Sequence, residues 1–170
     1  MPLADTLLRL AAGPRLYLPK WSDQIMVEVT RTLQETFGLS PQKAKYRESE
    51  IRRHFPEAWI EGYEDLIPAM TNHPKDRHVL AAAARAGVKV IVTYNLKDFP
   101  SSSLAPYAIT AQGPSVFLKH LYDMAPSAVM QTLETQAAAI SQPMSHLLSR
   151  LRVNAPAFVA MIEKTMNRDE

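Results

Sequence analysis

The chain has 170 residues, 46% of them apolar and 21% charged, with 13 Pro, 5 Gly, no Cys and a formal net charge of +2. At roughly 150 residues per domain this is one domain with an appendage, apolar enough to bury a core and too nearly neutral for net charge alone to argue for nucleic acid. The lack of cysteine excludes a disulfide framework, a thiolate metal site and a Cys nucleophile, so any metal must be held by carboxylate, imidazole or carbonyl groups. No apolar run approaches the roughly 18–20 residues of a membrane span, and the N-terminal stretch lacks a signal-peptide core. A soluble cytoplasmic protein is therefore expected.

Leu3 to Ala12 reads as a short helix closed by Gly13 and Pro14, followed by a brief strand at Leu16–Leu18. Ser22 caps a helix from Asp23 to Phe37, with Ile25, Val29, Leu33 and Phe37 on one stripe. Ser40 and Pro41 open a polar helix over Gln42 to Phe55. A short strand at Ala58 to Glu61 and a helical turn at Asp65 to Met70 come next. Asn72, His73 and Pro74 start a helix that runs through Val79, Leu80 and the alanines 81–84 to a stop at Gly87. Val88 to Tyr94 is a β-branched run of the kind buried on both faces of a parallel sheet, so helix, Gly and strand form half of an α/β crossover. Ala108 to Ala111 reads as a last short strand and Pro114 to Asp123 as a helix. Beyond Ala125, three amphipathic helices follow, marked by Val129, Leu133 and Ala137, by Met144, Leu147 and Leu151, and by Phe158, Val159 and Ile162.

Three acids stand where such a sheet would gather them, since ligands of open α/β sheets bind beyond the carboxyl ends of the strands. Asp98 follows the best strand by four residues, and Asp76 lies in the first turn of its helix on the side of Val79 and Leu80. Glu28 sits about 60° outside its helix stripe, at about 100° per residue, between Val27 and Val29. Each has an ordinary structural explanation: a helix N-terminal acid for Asp76, a turn residue for Asp98 and a solvated margin for Glu28.

Together they carry a more specific pattern. Asn72-His-Pro-Lys-Asp76-Arg-His-Val-Leu-Ala-Ala-Ala-Ala-Arg-Ala-Gly87, followed by Val-Lys-Val-Ile-Val-Thr93-Tyr-Asn95-Leu-Lys-Asp98-Phe-Pro100, resembles the second half of a PIN domain. The likeness is to the VapC-like ribonuclease toxins of toxin–antitoxin pairs, which read here as a His-Val-Leu-Ala-Ala-Ala helix and a strand ending in Thr-x-Asn-x-x-Asp-Phe. Upstream, Trp21-Ser-Asp-Gln-Ile-Met-Val-Glu28-Val resembles the helix of that family that supplies a second acid. The resemblance covers roughly residues 3–122 and implies a three-layer α/β/α sandwich with a parallel sheet. It also implies endoribonuclease activity with Mg²⁺ or Mn²⁺, ions that take oxygen ligands suited to phosphodiester hydrolysis. Carried over by position, Glu28, Asp76 and Asp98 are the implied catalytic and metal-binding acids, with Thr93 and Asn95 supporting them. Asn72 stands where many relatives have Asp.

The chain opens directly in what should be the family's first helix, so the preceding strand and its catalytic Asp are absent from it, and Asp5 is no replacement. The expected organisation is thus an N-terminally shortened PIN-like domain over residues 1–124 and a helical extension over 125–170. The expected function is a toxin ribonuclease, weak or inactive in this chain, with RNA substrate and cognate antitoxin as partners. A homodimer is expected as well, strand exchange being one way to fill the gap. The alternative is a non-catalytic module that keeps the RNA- or antitoxin-binding surface. A nucleotide enzyme is disfavoured, because no Gly-rich phosphate loop is present. Lys43, Lys45, Arg47, Arg52 and Arg53 are the candidate RNA-phosphate contacts, with a solvated helix face as the rival reading. The five histidines lack zinc-site spacing, and His78 reads as a helix-surface or buried hydrogen-bonding residue rather than a ligand.

Overall fold

The computed structural model describes residues 2–167; Met1 and the end of the expected helical extension, 168–170, lie outside them. Helix α1 spans Pro2–Ala12, with Pro at a first-turn position where its missing N–H costs nothing. It closes as expected, with the Gly13 N–H on the Arg9 carbonyl at 2.9 Å. The strand expected at Leu16–Leu18 does not form. The Leu16 N–H returns to the Leu10 carbonyl at 3.0 Å, and the Tyr17 hydroxyl donates to the Leu7 carbonyl at 2.9 Å, so this segment is tied to α1 and not to a sheet.

Helix α2 spans Asp23–Glu35 and α3 spans Pro41–His54, capped by the Ser22 and Ser40 hydroxyls, which accept from the Ile25 and Lys43 N–H groups. The core-facing residues of α2 are Met26 and Leu33, whereas Phe37 lies past the helix end and is 49% exposed. The strand expected at Ala58 to Glu61 is reduced to one parallel bridge between Trp21 and Trp59. There the Trp21 N–H donates to Ala58 at 2.9 Å and the Ile60 N–H to Trp21 at 2.8 Å.

A 3₁₀ turn over Glu64–Ala69 and another over Pro74–Asp76 precede α4, Arg77–Arg85. Gly87 ends that segment at φ +61, a left-handed conformation disfavoured for residues with a Cβ, and the Val88 N–H then reaches back to the Ala83 carbonyl. The sheet has two strands, β1 at Val90–Val92 and β2 at Thr110–Gln112. It is parallel: the Thr110 N–H donates to Lys89 at 3.0 Å, and the Thr93 N–H donates to Gln112 at 2.9 Å. The connection holds a 3₁₀ turn at Leu96–Asp98, the short helix α5 at Ser101–Leu104, and a further turn. The parallel pairing agrees with the expected α/β class, but burial of β1 on both faces does not hold. Successive side chains of a strand point to opposite faces, and here Ile91 is buried while Val92 is 36% exposed. The described residues are mostly helical, with this small sheet.

Helices α6 (Pro114–Met124), α7 (Pro126–Ala139), α8 (Met144–Arg152) and α9 (Pro156–Met166) complete the chain, three of them opened by a proline. None of the described helices is long and apolar enough to cross a membrane.

Two compact units result. One comprises Pro19–Ile91 and Asn95–Ala111, with Met70, Leu80, Ile91, Phe99, Leu104 and Ile109 in its core. The other comprises the chain up to Leu18, residues 92–94 and the chain from Gln112 onward. Its core joins Leu10 of α1 and Leu118 of α6 to Leu133, Leu147, Leu151, Phe158 and Ile162 of the last three helices. Within it, Thr6 donates to the Gln136 amide oxygen at 2.7 Å and the Gln136 amide donates to the Pro2 carbonyl at 3.1 Å, so a buried polar pair is satisfied locally.

Candidate functional site

The candidate site lies in the unit built on α4. Asp76 ends a 3₁₀ turn and occupies the N-cap position of α4, yet its carboxylate makes no capping hydrogen bond. Its backbone N–H is held by the His73 carbonyl at 2.9 Å, which fixes the turn and leaves the side chain unspent. Asp98 ends the corresponding turn after β1, with its N–H on the Asn95 carbonyl at 3.0 Å. The two turns are joined by a backbone bond, the His73 N–H donating to the Asp98 carbonyl at 3.2 Å.

This placement brings three side chains together. One ligand atom from each of His73, Asp76 and Asp98 lies within 4.8 Å of the other two. His73 Nδ1 stands 3.8 Å from Asp76 Oδ2, with the imidazole half exposed and the Asp76 side chain only 14% exposed. Asp76 Oδ2 is buried without a hydrogen-bond partner, and so is Asn72 Oδ1, whose amide nitrogen donates to the Asp76 carbonyl at 3.0 Å. A buried acceptor without a donor is unfavourable, and a carboxylate in that state is suited to receive a cation. Two carboxylates and an imidazole fit a hard or borderline divalent ion such as Mg²⁺ or Mn²⁺.

The other expected residues distribute differently. Glu28, on α2, lies outside this group, and its Oε1 is 3.5 Å from Nε2 of the buried His78. Thr93 is half-buried and its backbone enters the sheet ladder. Asn95 is exposed and its carbonyl holds the Asp98 turn. On α3 the cations divide into two sets. Arg52 bonds Asp23 at 2.6 Å and Glu48 at 3.1 Å and stacks 3.6 Å over the Trp59 ring, while Arg53 bonds Glu50 at 2.8 Å. The Asp23 hydrogen bond raises the Arg52 pKa, and the Arg53 hydrogen bond lowers that of Glu50. Lys43 and Lys45 are exposed.

His73 is the member of the cluster that reading the histidines as scattered overlooked. Its signal was local: it stands three residues before Asp76 in Asn-His-Pro-Lys-Asp, a spacing that a 3₁₀ turn folds onto one side.

A β-strand, a tight turn and a helix start that converge an imidazole and two carboxylates define a candidate divalent-cation site in an α/β unit. Over 108 residues the chain is 48% identical to a Mycobacterium tuberculosis protein named "Putative ribonuclease VapC50", a match that takes in 61% of this chain and 63% of that protein. The resemblance to VapC-like proteins thus rests on overall identity as well as on motifs, and the match spans a little under two thirds of that relative's length. No family model and no solved structure matches the chain.

Proposed function

We infer that the chain is a metal-dependent endoribonuclease toxin of the VapC type, a PIN-like α/β protein acting in the cytoplasm on RNA and restrained by a cognate antitoxin. The observation that carries this reading is the convergence of Asp76 and Asp98 around a buried, partnerless carboxylate oxygen. The named relative supports the substrate class. The parallel β1–β2 pair supports the proposed sandwich class, and dimer formation is part of the same proposal.

Asp76 and Asp98 would hold Mg²⁺ or Mn²⁺, with His73 beside them. Such an ion, when bound, polarises a phosphodiester and lowers the pKa of a bound water. The chain's own groups supply the rest. The Asp76 turn and the Asp98 turn, tied by the His73–Asp98 backbone bond, fix the backbone from which the two carboxylates extend before any ligand arrives. Lys43, Lys45 and Arg47 would hold backbone phosphates, whereas Arg52 and Arg53 are already engaged with acids of this chain. Thr93 and Asn95 support the strand end and the Asp98 turn. Glu28, the third acid of the expected set, would join Asp76 and Asp98 from α2, where its Oε1 lies 3.5 Å from Nε2 of His78, and the proposed activity is low.

The test is cleavage of a mixed cellular RNA pool by the purified chain with Mn²⁺ or Mg²⁺, read by sequencing of the new ends. Slow, EDTA-sensitive cleavage that disappears in Asp76→Ala and Asp98→Ala is expected. Cleavage unchanged in both variants overturns the assignment, and RNA or antitoxin binding with no cleavage under any ion supports the non-catalytic module instead.

A further inference from the structure

We propose that His78 is a positioning residue that fixes the Glu28 carboxylate of α2 relative to Asp76. The contact stands on geometry, and its consequence for cation binding rests on the nuclease reading given above. His78 lies in the first turn of α4, two residues after Asp76, with its side chain 4% exposed. Its Nε2 is buried and has no hydrogen-bond partner among the described residues, and the carboxylate of Glu28 is 3.5 Å away. Of the two roles the sequence leaves open for His78, helix surface or buried hydrogen bonding, burial selects the second, and Glu28 is the candidate partner.

The chemistry of the pair is asymmetric. With the proton on Nδ1, the Nε2 lone pair faces carboxylate lone pairs and the contact is repulsive. With the proton on Nε2, an N–H faces an anionic acceptor, and a small shortening completes a charge-assisted hydrogen bond. The Glu28 carboxylate therefore selects the Nε2–H tautomer, and a neutral ring is sufficient. The consequence is mechanical. The His73–Asp76–Asp98 group draws only on the turns before α4 and after β1, whereas α2 reaches that segment through Glu28 and His78. A partner that orients a ligating carboxylate through a hydrogen bond changes metal affinity without touching the metal.

Two measurements test the proposal. Titration calorimetry with MnCl₂ on the full chain is expected to show about tenfold weaker binding in His78→Phe, which keeps an aromatic ring but removes the donor, and recovery to within about threefold in His78→Gln. In a Glu28→Gln background, His78→Phe should change Mn²⁺ affinity by less than about twofold, because the group it acts through is gone. An equal loss in both backgrounds overturns the proposal. If the wild-type chain binds no Mn²⁺, the nuclease reading fails, and the contact is then judged by ¹⁵N-histidine NMR without metal. Protonation of His78 at Nε2, with resonances that move in Glu28→Gln, supports it. An Nδ1–H tautomer indifferent to Glu28→Gln overturns it. The NMR arm uses only the wild type and a substitution at a half-buried surface residue, so it holds even where His78→Phe does not fold.

Discussion

The backbone N–H of His73 donates to the backbone carbonyl of Asp98 at 3.2 Å, and this bond joins the turn that opens α4 to the turn that follows β1. The tie belongs to the main chain, so it survives changes at either side chain. His73→Ala should therefore leave the Asp76–Asp98 arrangement intact and remove only an imidazole. Imidazole favours transition ions over Mg²⁺, so His73→Ala is expected to lower Mn²⁺ affinity about tenfold and Mg²⁺ affinity by no more than about twofold. Parallel calorimetric titrations check this, and equal losses for both ions would show that His73 acts on the fold and not as a ligand.

The cations of α3 lead to a second prediction. A phosphate contact contributes about −0.7 to the slope of log K against log salt for single strands. Lys43→Ala and Lys45→Ala are each expected to flatten that slope for a single-stranded RNA by about this amount. Arg52→Ala should leave the slope unchanged and lower stability by no more than about 1 kcal/mol, since the pair with Asp23 is largely exposed and the Trp59 stacking adds a fraction of that. Fluorescence anisotropy at several salt concentrations, beside thermal melts, separates the two roles. An Arg52→Ala variant with a flattened slope would mean that Arg52 leaves its acids for RNA.

The parts of the fold that follow from local chemistry are legible in the chain itself. Ser22 and Ser40 cap their helices through their own hydroxyls, Gly87 takes the left-handed turn after α4, and prolines open the later helices. What escapes is decided by distant partners. Leu16–Leu18 has strand-like composition, yet its backbone bonds are taken by α1. The apolar face of α1 shows that it is buried but not against what, and its partners are the helices beyond residue 112. The site follows the same rule. Asp76 and Asp98 are legible because a turn beside a helix start or strand end places them, while the group they form depends on the His73–Asp98 bond, which no spacing encodes. Glu28 reads as one more acid, and no spacing in the sequence shows that its carboxylate stands 3.5 Å from Nε2 of His78.

Gln136 makes a third prediction. It is 2% exposed in the core of the helical unit, holding Thr6 and the Pro2 carbonyl. Gln136→Ala should cost about 2–4 kcal/mol, because it leaves buried groups unpaired and opens a cavity. Gln136→Leu with Thr6→Val, which removes both partners at similar volume, should recover much of that loss. Urea unfolding of the single and double variants measures the difference, and a double variant no more stable than Gln136→Ala would mean that the Pro2 carbonyl alone sets the penalty.

Tyr17 makes the stability of the helical unit sensitive to alkali. Burial raises its phenol pKa well above the ordinary value, and the hydroxyl donates to the Leu7 carbonyl at 2.9 Å, a bond that the phenolate cannot make. A folded-state pKa above the unfolded one means that, above about pH 10, the unfolded chain releases a proton that the folded chain keeps. Stability from this group is complete below the unfolded pKa and declines as pH rises from there toward the folded pKa. Thermal melts between about pH 8 and about pH 11.5, spanning the ordinary phenol pKa, should show the wild type losing stability steeply above about pH 10. Tyr17→Phe should be less stable than wild type at pH 8 by about 1 kcal/mol, for the lost hydrogen bond, and should fall more gently above about pH 10. Parallel alkaline declines in the two proteins would place the sensitivity in other groups and return Tyr17 to a packing role alone.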